Sequence, residues 1–319
     1  MPIESSRTAF SYRNSLFALL LLCFAGAILG DSTTEALLLA HFDAAMIPRM
    51  YLVNAFFLFP ASIFIVPLID RVDRGALFIK FIISHGVILS AVWIAVSFGA
   101  TFLYVPLFSY AYVSKILLFL LFWTLANDLI DSRRAGSQFP FIAAGGTLGA
   151  IGISFSIPWF LRMVDARNLL PVWVGLTFCL GLAFVFLRRS AGVHFLFQSD
   201  KRRHADLTPG AIREDIATVF REPLLRNMAI LYFILFFTLL NQHYVFYQAV
   251  KDRFDGADGI ASFLGYFNGV SMGATFLLQA SIAGVVLKRL GSTRAMFFLP
   301  AALCVVFAVQ GGAALVCPR

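Results

Sequence analysis

The sequence has 319 residues with a net charge of +8, yet 60% of it is hydrophobic and only 13% is charged. A soluble domain is nearer roughly 45–50% apolar and 25% charged, so one water-solvated core cannot hide this much apolar surface. Lipid is the alternative solvent, and the basic residues sit in short clusters between apolar runs, which reads as membrane topology rather than a nucleic-acid face.

Nine apolar segments follow in order: Asn14–Ala40, Ile47–Ile69, Ala76–Phe98, Phe102–Leu129, Ser137–Leu161, Asn168–Leu187, Asn227–Val250, Ile260–Leu287 and Ala295–Val316. Each is long enough for a helix to cross a bilayer, which takes about 20 apolar residues. The first is longer than a signal-peptide core and reads as a retained span. The fold class is therefore all-α and polytopic.

Lys and Arg orient these spans. Eighteen of them fall at the N-terminus and in alternate loops, as at Arg71 and Arg74, Arg133 and Arg134, Arg188 to Arg226, and Lys288 to Arg294. Six fall on the opposite side, and Lys115 lies on neither. The positive-inside rule then puts the N-terminus in the cytoplasm.

Within the first span, Asp31 and Glu35 are four residues apart and share a helix face. They form a paired-carboxylate candidate for binding a cation or moving a proton. After the second span, Asp70, Arg71 and Arg74 make a charged loop. The third span carries a lone His85, read as a packing residue. In the fourth, Lys115 is the sharpest candidate, because it lies mid-span with no helix end in snorkelling reach. It needs a cavity or an acid, and Asp31 or Glu35 is the expected partner. Asp128, Arg133 and Arg134 follow this span, and with the earlier charged loop they read as cytoplasmic gate ion pairs.

Ser190–Arg226 is the longest polar stretch and divides residues 1–189, a six-span bundle, from 227–319, a three-span part. Thr208 and Pro209 start a predicted amphipathic helix, with Ile212, Ile216, Val219 and Phe220 on one face. Span seven carries a polar cluster, Asn241, Gln242 and His243, a second candidate group for substrate or coupling. Asn54, Asn268 and Gln279 read as inter-helix glue. Glycines four apart, at Gly26 and Gly30, at Gly145 and Gly149, and at Gly265, Gly269 and Gly273, let helices approach closely.

The four cysteines, Cys23, Cys179, Cys304 and Cys317, lie in or beside apolar segments and offer neither a disulfide framework nor metal spacing. No metal or cofactor is expected. No catalytic set clusters at a membrane face, so an enzyme is not expected either. The partners expected are lipid and a small solute, with no nucleic acid.

Three stretches carry a family resemblance. Phe122-Trp123-Thr124-Leu125-Ala126-Asn127-Asp128, then Ser132-Arg133-Arg134-Ala135, Phe139-Pro140 and Ala143-Ala144-Gly145-Gly146-Thr147-Leu148-Gly149, resemble the region between spans four and five of the ATP/ADP translocase family. These are nucleotide exchange carriers of intracellular bacteria and plastids, with free-living bacterial relatives. Phe263-Leu264-Gly265, Phe267-Asn268-Gly269, Leu277-Leu278-Gln279 and Arg289-Leu290-Gly291 look like span eight of those relatives. Asp70-Arg71-Val72-Asp73-Arg74 partly resembles the loop between spans two and three of the major facilitator superfamily.

The resemblance implies a major-facilitator-like secondary transporter of the bacterial inner membrane. It would have a six-span bundle and a truncated C-terminal part, spans one, four and seven would line the cavity, and spans five and eight would form the seam between halves. Gly145 and Gly149 would then face Gly265, Gly269 and Gly273. The solute is an anion if the nucleotide carriers are the guide. Two basic runs of those carriers are replaced here, however, by Asp31-Ser32-Thr33-Thr34-Glu35 and by Ala135-Gly136-Ser137-Gln138. Phosphate recognition needs Lys, Arg or a helix N-terminus. The alternative is a non-transporting membrane receptor or scaffold built on the same fold.

Overall fold

A computed structural model describes residues 3–43, 45–130, 135–190, 217–278 and 281. Among them there are helices and no strand. In chain order these are α1 (Ile3–His41), α2 (Met46–Arg71), α3 (Arg74–Ser97), α4 (Tyr104–Leu129), α5 (Ala135–Phe160), α6 (Leu169–Ser190), α7 (Pro223–Arg253) and α8 (Gly256–Leu278), with short 3-10 turns at Thr101–Leu103 and Ala166–Asn168. All eight are long and apolar enough to cross a membrane. The chain is an all-α integral membrane protein. The expected ninth span, most of the predicted surface helix, Arg133, Arg134 and Gln279 lie outside the described residues, as do the side chains of Asp70 and Arg71.

Local chemistry sets the breaks. Asp73 Oδ1 accepts from the Ala76 backbone N–H at 2.5 Å and caps α3. Gly99, at φ +90°, turns the chain out of α3, a conformation that an L side chain resists. Pro223 opens α7 at its first turn, where no backbone donor is missed. Gly256, at φ +73°, makes the corner into α8.

Residues 1–270 form one unit and 271–319 a second. In the first, α1 is the central helix, packed against α4, α5 and α6. Its side chains are buried on several faces, including Leu16, Leu20, Leu29, Leu37 and Leu39. One apolar core gathers Leu38, Tyr104, Leu169, Trp173, Val250 and Leu264 toward the loops that follow α1, α3 and α5. A second gathers Leu20, Phe78, Phe122, Leu125 and Phe184 toward the opposite end, where the Phe78 and Phe184 rings meet edge-on at 5.0 Å. Phe56, Phe59 and Phe64 of α2 and Phe233, Ile234 and Phe237 of α7 are exposed, as lipid-facing apolar side chains are in a membrane protein.

The glycine pairs hold helices at backbone distance, in an arrangement that corrects the predicted seam. A Cβ on Gly145 would lie 2.5 Å from the Phe17 carbonyl oxygen, and one on Gly149 would strike the Leu21 backbone. Both therefore face α1, inside the first bundle. Gly265 and Gly269 do meet α5, but on the turn at Ser154, Phe155, Ile157 and Pro158. The reason is that the Gly145–Gly149 face of α5 is filled by α1, so α8 meets α5 only further along, at Ser154 to Pro158. Gly273 belongs to the second unit. Gly26 and Gly30 lie under the Trp173 indole of α6.

Candidate functional site

A cavity of about 200 Å³ opens beside α1, lined by Asp31, Thr34 and Glu35 of α1, Tyr51 of α2, Phe108, Tyr112 and Lys115 of α4, His243 and Tyr247 of α7, and Asn268 of α8, with Ile28 completing the wall. Lys115 stands near the middle of α4, so its ammonium sits deep in the span. Its Nζ donates to Asp31 Oδ2 at 2.6 Å. It also lies 5.5 Å from the centre of the Tyr112 ring, within cation–π range.

One helix turn along α1, Glu35 has a different neighbour in the cavity wall, Tyr247 of α7. The two acids share a face but face different helices, α4 and α7. Asn268 reaches back to α1, its Nδ2 donating to Ser32 Oγ at 3.3 Å. A narrow recess of about 20 Å³ runs from Lys115 to His85 and Trp173, room for about one water. His85 itself is buried, with Nδ1 2.7 Å from the Tyr110 hydroxyl and its ring stacked on Phe81 and Tyr110. It is a packing residue, as its isolation in the sequence suggested.

Four of the sequence-predicted site residues, Asp31, Glu35, Lys115 and His243, line one cavity. Asn241 and Gln242 do not. The Asn241 side chain is exposed and donates to its own helix at Phe237 O, 2.8 Å away. Gln242 keeps Oε1 buried with no hydrogen-bond partner among the described residues. Helical rotation is the reason: successive residues point about 100° apart, so only one of three consecutive polar side chains meets the cavity. Asn54, expected to bridge helices, is buried with neither amide atom bonded among the described residues.

The tyrosines were not anticipated. Tyr112 lies three residues before Lys115, and Tyr247 four residues after His243. Both share a face with a residue that was singled out, which is a signal the sequence contained. Tyr51 carried no such signal.

At the other end of the bundle, Arg74 pairs with Asp128, joining the start of α3 to the end of α4. This puts two of the expected gate residues together. On the opposite side two further bonds tie the α7–α8 corner to the first six helices. Asp258 Oδ1 accepts from the Ala166 backbone N–H at 2.6 Å, and Lys251 Nζ donates to the Phe42 carbonyl oxygen.

No family model, curated protein or solved structure matches the chain.

Proposed function

We propose that the protein is a secondary transporter that carries a small solute by alternating access, with the Asp31–Glu35–Lys115 cavity as its binding site. The observation that carries this reading is where the cavity lies and who builds it. A polar, charged pocket sits within the spans, walled by helices before the long polar segment (α1, α2, α4) and after it (α7, α8). Charged groups inside a membrane are costly, and those retained mark solute or ion pathways. Binding near mid-membrane between two helix groups that can rock is the arrangement alternating access uses. The resemblance to the bacterial relatives of the ATP/ADP translocases supports a major-facilitator-like fold for it. Among the described residues, Lys115 is the one Lys or Arg lining the cavity, and it is already paired, which argues against a polyanionic nucleotide as the solute.

Labelling at Asn268 tests the proposal. The four native cysteines are replaced, Asn268→Cys is introduced, and an impermeant thiol reagent is applied to right-side-out and inverted vesicles. Reaction from both faces is expected of a site that alternates. Reaction from one face alone is the outcome for a receptor or scaffold.

A further inference from the structure

Resting on the transporter reading, we infer that the cavity recognises a small organic cation, with Glu35 as its counter-charge and Tyr51, Tyr112 and Tyr247 as an aromatic cage.

The charge count comes first. The groups facing Glu35 from every helix around it are Asp31 on α1, Tyr51 on α2, Tyr112 and Lys115 on α4, and His243 and Tyr247 on α7. Asp31 and Lys115 neutralise one another at 2.6 Å. At pH 7.5 an ordinary imidazole is mostly neutral, its value being about 6.5, and tyrosines are neutral as well. Glu35 is left without a cation. Its neighbour Tyr247 brings no positive charge. A carboxylate in a low-dielectric site is costly and takes up a proton unless a cation answers it, so a cationic solute would take the place of that proton and hold Glu35 ionised.

The shape of the wall narrows the chemistry. Three tyrosines and Phe108 surround a space of about 200 Å³, below the range of roughly 300–1,000 Å³ typical of drug-sized ligand sites. Aromatic faces beside a carboxylate are how proteins hold substituted ammonium groups, since the ring quadrupole attracts a cation whose methyl groups cannot take strong hydrogen bonds. The Lys115 ammonium already sits over Tyr112, which shows that this ring faces positive charge. A bare metal ion would need several oxygen ligands, and no metal-holding cluster of His, Cys, Asp and Glu exists among the described residues.

Titration calorimetry on the purified full chain in detergent tests this, with tetramethylammonium and choline chloride as cation probes and sodium acetate and ADP as anion probes. Saturable binding of the cations and none of the anions is expected. Glu35→Gln, close to isosteric, weakens cation binding roughly thirtyfold or more, and Tyr112→Leu weakens it roughly two- to thirtyfold. Lys115→Gln frees the Asp31 charge and tightens cation binding roughly threefold or more, a gain that a misfolded variant cannot mimic. Binding of acetate or ADP in place of the cations, unchanged affinity in Glu35→Gln, or no cation binding in wild type and Lys115→Gln alike overturns the inference. Those outcomes leave the two-sided labelling of Asn268→Cys untouched, so the transport reading stands or falls separately.

Discussion

Lys115 Nζ and Asp31 Oδ2 lie 2.6 Å apart across the α1–α4 boundary, joining residues 84 positions apart in sequence. The pair borders a cavity, so it is partly hydrated, and its worth lies between that of a surface ion pair and that of a fully buried one. A double-mutant cycle with Lys115→Met and Asp31→Asn is expected to give a coupling of about 0.5–3 kcal/mol. SDS-titration unfolding in mixed micelles reads it. Each single change should cost more than the double, because each leaves one member of the pair without the other, whereas the double removes both.

The α1–α5 contact makes a graded prediction. At Gly149 an added Cβ meets the Leu21 backbone, which cannot swing aside, whereas at Gly152 no described residue lies within 4 Å. Gly149→Ala is expected to destabilise by about 1–3 kcal/mol. Gly152→Ala should be neutral or stabilising by up to about 1 kcal/mol, the helix-propensity gain. Equal effects in the same unfolding assay would contradict the packing described.

At Gly30 the obstacle is a side chain, the Trp173 indole. Gly30→Ala alone should therefore cost about 1–3 kcal/mol, and adding Trp173→Leu should recover part of that loss. Recovery separates a steric cause from an intrinsic one. Without it, the indole is not what Gly30 accommodates.

The α3 cap is separable from the adjacent ion pair. Asp73→Ala removes the acceptor for the Ala76 N–H and is expected to cost about 0.5–2 kcal/mol, with Asp73→Ser recovering most of it. Asp128→Asn removes only the charge facing Arg74 and should cost less than about 1 kcal/mol.

Topology is open to a direct check. The Lys and Arg distribution puts Asp128 inside and the α3–α4 corner outside. In a variant without native cysteines, Ala100→Cys should react with an impermeant maleimide in intact cells, and Asp128→Cys only after lysis. The reverse pattern would invert the orientation.

Much of this was legible beforehand. Hydropathy marked out all eight described spans, because a helix in lipid must advertise itself residue by residue. Lys115 stood out for the same reason, and so did its need for an acid on α1. What the sequence did not carry was rotation. Whether His243 or Asn241 faces the cavity, and whether Gly149 meets α1 or α8, depends on how each helix is turned about its axis. In lipid the outward face is as apolar as the inward one, so the amphipathic stripe that fixes rotation in a soluble helix is missing. Tyr51 shows the limit. Nothing near it in sequence distinguishes it from an ordinary interfacial aromatic.

The backbone contact of Gly145 and Gly149 with Phe17 and Leu21 also constrains biosynthesis. The groove that receives α1 is made by α5, and α2, α3 and α4 leave the ribosome between them. During that interval α1 waits in the bilayer with its future inner faces against lipid. Asp31 gains its counter-charge only when α4 arrives, so a nascent chain stalled after α3 holds two unanswered carboxylates. Such a product should be a preferred substrate for membrane quality control, and one stalled after α4 much less so.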